Sequence, residues 1–556
     1  QLLQDDQVPK HAVSLANILW ACAKIGYVDI PLFDVISAEA LRHLGCFDCQ
    51  ECSNMSWAFA VLEMVHDELI AELRLKSLCL ISSFTMQDLS NTGWAFAKLG
   101  IFDAPLMDAI HREASLKLGE GIPQNLSNLA WAFATLVIPN EHLLGLIAGA
   151  SMRRCSEFEV QDLTNTVWAF ATCELGCRPL LDSVAEEMAR RIGDFEGAIS
   201  WKSQAELQDH AFALVSLGWV FGFLSFWPSA MSEPRLAASV RGVGREVDGL
   251  LAARSSDDRA GARRWHPQAP ERPDLAEPLL VVDRPGMAVV LKPAGWEVDG
   301  PQSEVGDQGL LSEFVKTKFP ADKFQLPHLV NFQYGFIHRL DVPSSGLILA
   351  ATTFEGLYSL RLQINTFAMQ REYIVACHDL MDSSLRKCTA RIDMVAKRNT
   401  EGAWGLGECS VSDRGKPALT WLTSSAHLKR PSDSAHRGLS LVAIRIRTGR
   451  NHQIRTHLLH CLHPTVVDGK YTCRAVQATG DTVSKLGCVA RSFASCALSS
   501  DSRLPTRSSG VRRLPVSTSG IELRAFPGAD SEDGRRRSHL WSWRLGADDR
   551  LHAEVL

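Results

Sequence analysis

The chain carries little that would hold it in a membrane. Among its 556 residues, Ala211 to Trp227 is a run of 17 without a charge, at the lower limit for a bilayer span. Gly218 and Gly222 interrupt it and Pro228 ends it, so the last apolar helix of a helical array is the better reading, and no membrane partner is expected. The 15 cysteines are odd in number and scattered, which argues against a disulfide framework and suits a reducing compartment. Metal-ligand spacings are scarce. Cys46, Cys49 and Cys52 form C-x-x-C-x-x-C, but Cys52 shares a repeat position with Leu89, Leu126 and Leu163, so these thiols read as small core hydrophobes. His452, His457, His460 and His463 make no better set, because two of them belong to a motif with another use. No metal is expected. The chain opens on Gln1, so it is expected to be a fragment whose targeting segment cannot be judged.

What is present is ordinary globular material, 46% hydrophobic and 22% charged, at a length that suits three or four domains. The first part is an internal repeat. Trp20, Trp57, Trp94, Trp131 and Trp168 follow one another at intervals of 37 residues. Each has an asparagine three residues before it (Asn17, Asn54, Asn91, Asn128, Asn165), and Gln50, Gln87, Gln124 and Gln161 share a further position. His210-Ala-Phe-Ala213 is a degenerate sixth copy. Gly26 or Gly100 ends the first helix of a unit, and Pro31, Pro105 or Pro179 opens the second. One helix pair cannot bury its own apolar face, so the pairs are expected to stack into an α-solenoid with the recurring Trp and Phe in its core. Residues 1–225 hold 14 Lys plus Arg against 28 Asp plus Glu, a net charge of −14, and the remainder carries +9. Acidic surface disfavours nucleic acid, so a protein partner docked on the solenoid competes with RNA as its occupant.

The second part carries the chemistry. Gly335 to Ala350 reads GFIHRLDVPSSGLILA: a base, a cation and a carboxylate (His338, Arg339, Asp341), a small polar turn, then an apolar run with the bounds of a buried strand. Alone, it is as readily a loop salt bridge as a site. Further on stand Ile444 to His457, IRIRTGRNHQIRTH, and Leu462 to Tyr471, LHPTVVDGKY; earlier come Val289 to Gly295, VVLKPAG, and Arg371-Glu-Tyr373.

In this order and spacing the blocks resemble those of the RluA-like family of RNA pseudouridine synthases, over roughly residues 278–472. The resemblance implies a mixed α/β domain with a largely antiparallel central sheet, and a reaction needing no cofactor, because a uracil is detached from its ribose, rotated and rejoined through carbon without a redox step. It implies Asp341 as the essential carboxylate, Arg455 as the cation that keeps it ionised, and Tyr373 as the ring that stacks on the uracil and relays a proton. Arg339 becomes the wedge that fills the place of the flipped base, and His338 orders the loop. Lys292, Arg450 and Lys470 are phosphate or framework contacts, and His452 and Gln453 of the same motif join the substrate-contacting set. Ser344 stands where Thr is usual, Arg371 where Lys is usual, and Val467 where Gly is usual, none of them in the catalytic trio.

The expected organisation is therefore a solenoid over 1–225, a flexible Arg-, Pro- and Ser-rich linker over 226–275, a catalytic domain over 276–475, and a Ser- and Arg-rich tail over 476–556 that is disordered or misread. The repeats resemble octotricopeptide repeats, which implies an organelle, chloroplast or mitochondrion, as the site of action. The expected activity is isomerisation of specific uridines in rRNA, tRNA or organelle transcripts. A non-catalytic RNA-binding protein, or a repeat-scaffolded interaction module that keeps a synthase fold, is the alternative.

Overall fold

The structure is a computed structural model that describes residues 8–197, 203–257, 276–299, 309–382, 384–398, 404–413, 415–429, 438–466, 468, 471, 522–525, 541–545 and 551–555. It divides into two compact units, 1–368 and 369–556. Val467 and Lys470 lie outside the described residues.

The first unit begins with five helix pairs. The first helices are α1 (Val8–Ile25), α3 (Cys49–Val61), α5 (Met86–Lys98), α7 (Pro123–Thr135) and α9 (Val160–Thr172), and the second helices are α2 (Ile30–His43), α4 (Asp67–Leu80), α6 (Ala104–Lys117), α8 (Glu141–Arg153) and α10 (Arg178–Gly197). Each first helix packs on the next first helix and each second on the next second, giving two layers. The period is written into the helix ends. Asp29, His66, Asp103 and Asn140, 37 residues apart, cap the second helices by accepting the backbone N–H three residues on. Gly26, Glu63, Gly100, Val137 and Glu174, at the same interval, hold positive φ just past the first helices. Glycine takes that conformation without strain, whereas Val137 meets its own Cβ there.

Buried polar staples join successive first helices. Ser53 donates to Asp88 at 2.7 Å, Asn125 to Ser90 at 3.1 Å, and Ser127 to Asp162 at 2.7 Å. Burial pushes the Asp162 carboxyl up, and the Ser127 bond opposes that shift. Phe59, Phe96, Phe133 and Phe170 are buried as the repeat implies, each contributing roughly 2–3 kcal/mol. The tryptophans differ from expectation. Trp57, Trp94, Trp131 and Trp168 are only half-buried and Trp20 is exposed. A Trp two positions before a Phe cannot share its direction on a helix, and the Phe takes the interior.

The linker expected over 226–275 is corrected in its first half. After α11 (Gln204–Leu224) the chain forms α12, a helix of 25 residues over Glu233–Asp257; residues 258–275 are outside the described set. Both α11 and α12 pack on α14 (Phe354–Asn365) of the synthase-like segment. Asp248 caps that helix from the side, its carboxylate oxygens accepting from the Phe354 and Glu355 amides at 2.8 and 3.0 Å. Arg245 pairs with Glu355 at 2.8 Å. A Cβ on Gly244 would lie within 3 Å of the Glu355 backbone, so only glycine permits this approach. The Arg- and Ala-rich composition that suggested a tether is a helix with one face spent on α14. By length and composition α11 could cross a membrane, but more than half of it is buried against α9, α12 and α14.

His210, in the Trp position of the sixth copy, is buried in α11, and burial with nearby Arg191 lowers its pKa to about 4. The unfolded chain therefore binds a proton here below about pH 6.5 that the fold refuses until about pH 4. Stability from this group is complete above pH 6.5 and falls as pH drops towards 4, by about 3 kcal/mol in all. His210→Leu should remove that part of the decline, read as the difference between the two proteins' urea midpoints at pH 7 and pH 4.5.

The remainder of the first unit is a three-stranded antiparallel sheet, β1 (Leu279–Arg284), β2 (Met287–Lys292) and β5 (Gly346–Ala351), in that order. The strands β3 (Trp296–Glu297) and β4 (Gly309–Leu310) pair in parallel beside it, and α13 (Leu311–Lys318) covers a core of Val290, Val315, Phe319, Phe336 and Ile348. The second unit holds β6 (Arg371–His378), β7 (Lys387–Cys388), β10 (Thr420–Lys429) and β11 (Leu439–Ile446) in one antiparallel sheet, a separate pair β8 (Ile392–Arg398) and β9 (Trp404–Val411), and helix α15 (Gln453–His460). The antiparallel expectation holds, divided between two sheets. The tail is corrected at three segments: β12 (Glu522–Ala525) adds to the edge of β10, and β13 (Trp541–Leu545) pairs with β14 (Leu551–Val555).

Candidate active site

Asp341 sits in the loop before β5, and that loop is held from four directions. Ile337 donates to Leu349 O at 3.1 Å, and the Leu349 amide donates back to His338 Nε2 at 3.3 Å. Ser344 N closes a turn on Asp341 O at 3.0 Å. The next carbonyl, Val342 O, accepts from Gly295 N at 2.8 Å and from Lys292 Nζ at 3.2 Å. Gly335, at φ +82, lies so near Ala351 O that a Cβ would collide with it, which lets the loop hug β5. His338 Nε2 thus ties the loop to β5, and Arg339 is exposed beside it.

Lys292 is corrected. It is fully buried, and its ammonium donates to Pro293 O, Trp296 O and Val342 O at 3.1, 2.7 and 3.2 Å. An ammonium has three donors, and all three are used, so Lys292 is framework rather than a phosphate contact. Burial lowers its pKa to about 8, with Asp341 pulling the other way.

In the second unit Tyr373 lies on β6 opposite Ile444 of β11, packed against the core of Cys377, Val442, Ile444 and Leu458. Arg371 turns inward, donating to Arg447 O at 2.8 Å, and burial pushes its pKa down. The loop from Thr448 to Gln453 is organised by one amide. Gln453 Oε1 accepts from Thr448 Oγ1 and Arg450 N at 2.8 and 3.1 Å, while its Nε2 donates to Leu419 O and Thr420 Oγ1 at 3.0 Å each. Gln453 is 2% exposed and its valences are filled, so its assignment to substrate is corrected to framework. His457 is equally buried, between Thr420 Oγ1 and Ala390 O. Arg450 is half-buried, its Nε on Pro417 O at 3.0 Å, and burial with the Arg371 charge lowers its pKa.

Arg455 is gripped by Asp468 in a two-point pair, Nε to Oδ2 at 2.7 Å and an Nη to Oδ1 at 2.5 Å. Asp468 also accepts from Thr465 Oγ1 at 2.6 Å and Tyr471 N at 3.2 Å. The Tyr471 ring lies 4.6 Å from the guanidinium, and its hydroxyl meets Cys409 N at 2.9 Å and His452 Nδ1 at 2.8 Å. Asp468 and Tyr471 stood in a quoted motif without a role, and the only signal was their spacing. The fold makes them the cradle of Arg455, with His452 as an outer member.

Residues 286–460 match the model of the RNA pseudouridylate synthase family. Residues 5–194 match a second model, described as RNA-editing substrate-binding complex 6 protein. The chain is 30% identical over 185 residues to ribosomal large subunit pseudouridine synthase C of Buchnera aphidicola subsp. Schizaphis graminum, covering 33% of this chain and 51% of that one. It is 26% identical over 188 residues to tRNA pseudouridine synthase C of Pectobacterium carotovorum, covering 33% and 45%. A solved human structure, RNA pseudouridylate synthase domain containing 1, shares 21% identity and a TM-score of 0.26, covering 36% of this chain and 72% of that one. The chain spans about half the length, or less, of these curated relatives.

Proposed function

We propose that this protein isomerises uridine to pseudouridine in RNA. The observation that carries the reading is the synthase match over 286–460, which takes in Asp341, Tyr373 and Arg455 together. The reaction breaks the bond between uracil nitrogen and the ribose anomeric carbon, rotates the base, forms a bond from that carbon to carbon-5, and releases the carbon-5 proton. Atoms and electrons balance within the nucleotide, so side chains suffice. Asp341 is the carboxylate that attacks the sugar or base or removes a ribose proton, Arg455 favours its ionised form, and Tyr373 supplies a stacking face with a polar tip. Exposed Arg339 is the wedge, and Arg450 and His452 border the RNA, while His338, Lys292 and Gln453 hold the loops.

The repeats serve target selection, in keeping with their likeness to a protein whose name describes an RNA-editing substrate-binding complex. Their resemblance to octotricopeptide repeats supports an organelle as the site of action. The test uses RNA tritiated at uridine carbon-5. The whole chain should release label from a subset of rRNA, tRNA or organelle transcripts, and Asp341→Asn should not. Equal, negligible release from both across such RNAs would leave the non-catalytic alternative standing.

A further inference from the structure

Two thiols and an imidazole meet at the last turn of α15. Cys388 ends β7 and pairs with Thr420 of β10. His457 of α15 reaches the same place, with Nδ1 at 2.8 Å from Thr420 Oγ1 and Nε2 at 2.8 Å from the carbonyl of Ala390, two residues past Cys388. Cys461 follows one turn later and closes the helix, its N–H donating to His457 O at 2.9 Å. Residues four apart lie one above the other on a helix, so strand pairing and helix spacing together bring the two thiols to one point. They share a hydrogen bond, and His457 contributes a further bond to Cys388.

A buried thiol is ordinarily an inert small hydrophobe whose charged form burial disfavours. Cys52 and Cys377 behave so: each is fully buried, and burial pushes its thiol up to about 12. Cys388 is buried as well, at 8% exposed, and moves the opposite way. The hydrogen bond from Cys461 draws its pKa down, His457 adds to the effect, and the same bond to Cys388 pushes Cys461 up. One proton is thus shared, carried by Cys461 and donated to a Cys388 thiolate. The thiolate is the form of sulfur that reacts with oxidants and disulfides. Cys461 is only half-buried, so the pair borders solvent, as a thiol sealed in the core does not.

We propose that Cys388 and Cys461 form a redox latch on α15, closed as a disulfide by hydrogen peroxide and opened by thiols. The Cys388 thiolate attacks one peroxide oxygen, becoming a sulfenic acid and releasing hydroxide. The Cys461 sulfur then displaces the hydroxyl group from the Cys388 sulfur, and the proton of Cys461 leaves with it as water. In all, two thiols lose two electrons and two protons, and the peroxide ends as two waters. A covalent bond where a hydrogen bond stood draws the last turn of α15 towards β7. The same helix carries Arg455, and its Gln453 and His457 both hold Thr420 Oγ1. Closure therefore acts on the element that positions Arg455 and slows turnover. That consequence rests on the synthase reading; the latch itself does not.

The test uses the full chain, reduced and then treated with a few equivalents of hydrogen peroxide. Peptide mapping by mass spectrometry should show Cys388 joined to Cys461, two hydrogens lighter than the reduced pair, and dithiothreitol should separate them. Amide exchange over Gln453–His460 should slow by roughly tenfold or more on oxidation, and should not change in peroxide-treated Cys461→Ser. Where the reduced chain releases carbon-5 tritium from RNA, the oxidised chain should release it severalfold more slowly, and Cys461→Ser should be indifferent to peroxide. The exposed Cys46 and Cys79 report contact with the oxidant. Their oxidation while Cys388 and Cys461 remain thiols overturns the proposal, and so does a linked pair with unchanged exchange over α15. A linked pair with slowed exchange, in a chain that releases no label, supports the latch and counts against the synthase reading instead.

Discussion

Asp341→Asn should reduce tritium release by roughly 10³-fold or more while leaving RNA affinity unchanged. The substitution is nearly isosteric, and the loop keeps several bonds that run through its backbone and neighbouring side chains. His338 and Leu349, Lys292 and Val342, and Ser344 and the Asp341 carbonyl all engage backbone or neighbouring side chains. An amide occupies the same space but neither attacks carbon nor takes a proton, so the loss falls on turnover. A fall in affinity equal to the fall in rate would instead make Asp341 a binding residue, and full retention of rate would remove it from the chemistry. Lys292→Met is the informative companion. It takes a donor from three carbonyls at once, and its effect should appear in both stability and rate, because it moves the loop rather than removing the reacting group.

The likeness to the synthase family was legible in the sequence because motif blocks are local: each places its residues on one loop or one helix, and order plus spacing identifies the set. What the blocks could not show is the direction each side chain takes. Lys292 and Gln453 carry the same letters whether they face phosphate or backbone carbonyls, and only the neighbours, Trp296, Val342, Leu419 and Thr420, decide it. The repeat period and the helix ends were equally readable, since Gly26, Gly100 and the prolines are local signals. The tryptophans were misplaced because a period of 37 residues says which positions are equivalent and not which of two neighbouring aromatics points inward. The region of 233–257 was misread because composition reports average polarity. Asp248, Arg245 and Gly244 are ordinary linker residues until α14 supplies what they cap, pair with and pack against.

That helix alters what the two parts of the chain can do for each other. The solenoid ends in α11, and α11 with α12 shares a buried seam with α14, whose N-terminus is capped from α12. A tethered solenoid would raise only the local concentration of its ligand. A packed one also fixes the ligand's direction relative to the sheet that ends in the Asp341 loop. Gly218 and Gly222 on α11 and Gly244 on α12 permit the close approach to Leu362, Thr366 and Glu355.

The second large effect concerns Arg455. Asp468 is 7% exposed and gives Arg455 both of its oxygens, so Asp468→Asn removes the charge from the carboxylate that grips this guanidinium at two points. Removing one partner of such a pair costs about 3–5 kcal/mol, and urea denaturation of Asp468→Asn should show a loss of that order. Tritium release should fall as well if Arg455 has the proposed role, because the two-point grip of Asp468 no longer fixes the guanidinium over the Tyr471 ring. Stability and function separate in the double variant Arg455→Met/Asp468→Leu. Replacing both charges with apolar groups removes their desolvation penalty, so most of the lost stability should return, while release stays at the level of Arg455→Met alone. If the double variant recovered both, Arg455 would be no more than the structural partner of Asp468. If Asp468→Asn kept full activity at reduced stability, Arg455 would be placed by Tyr471 and its own helix rather than by the carboxylate.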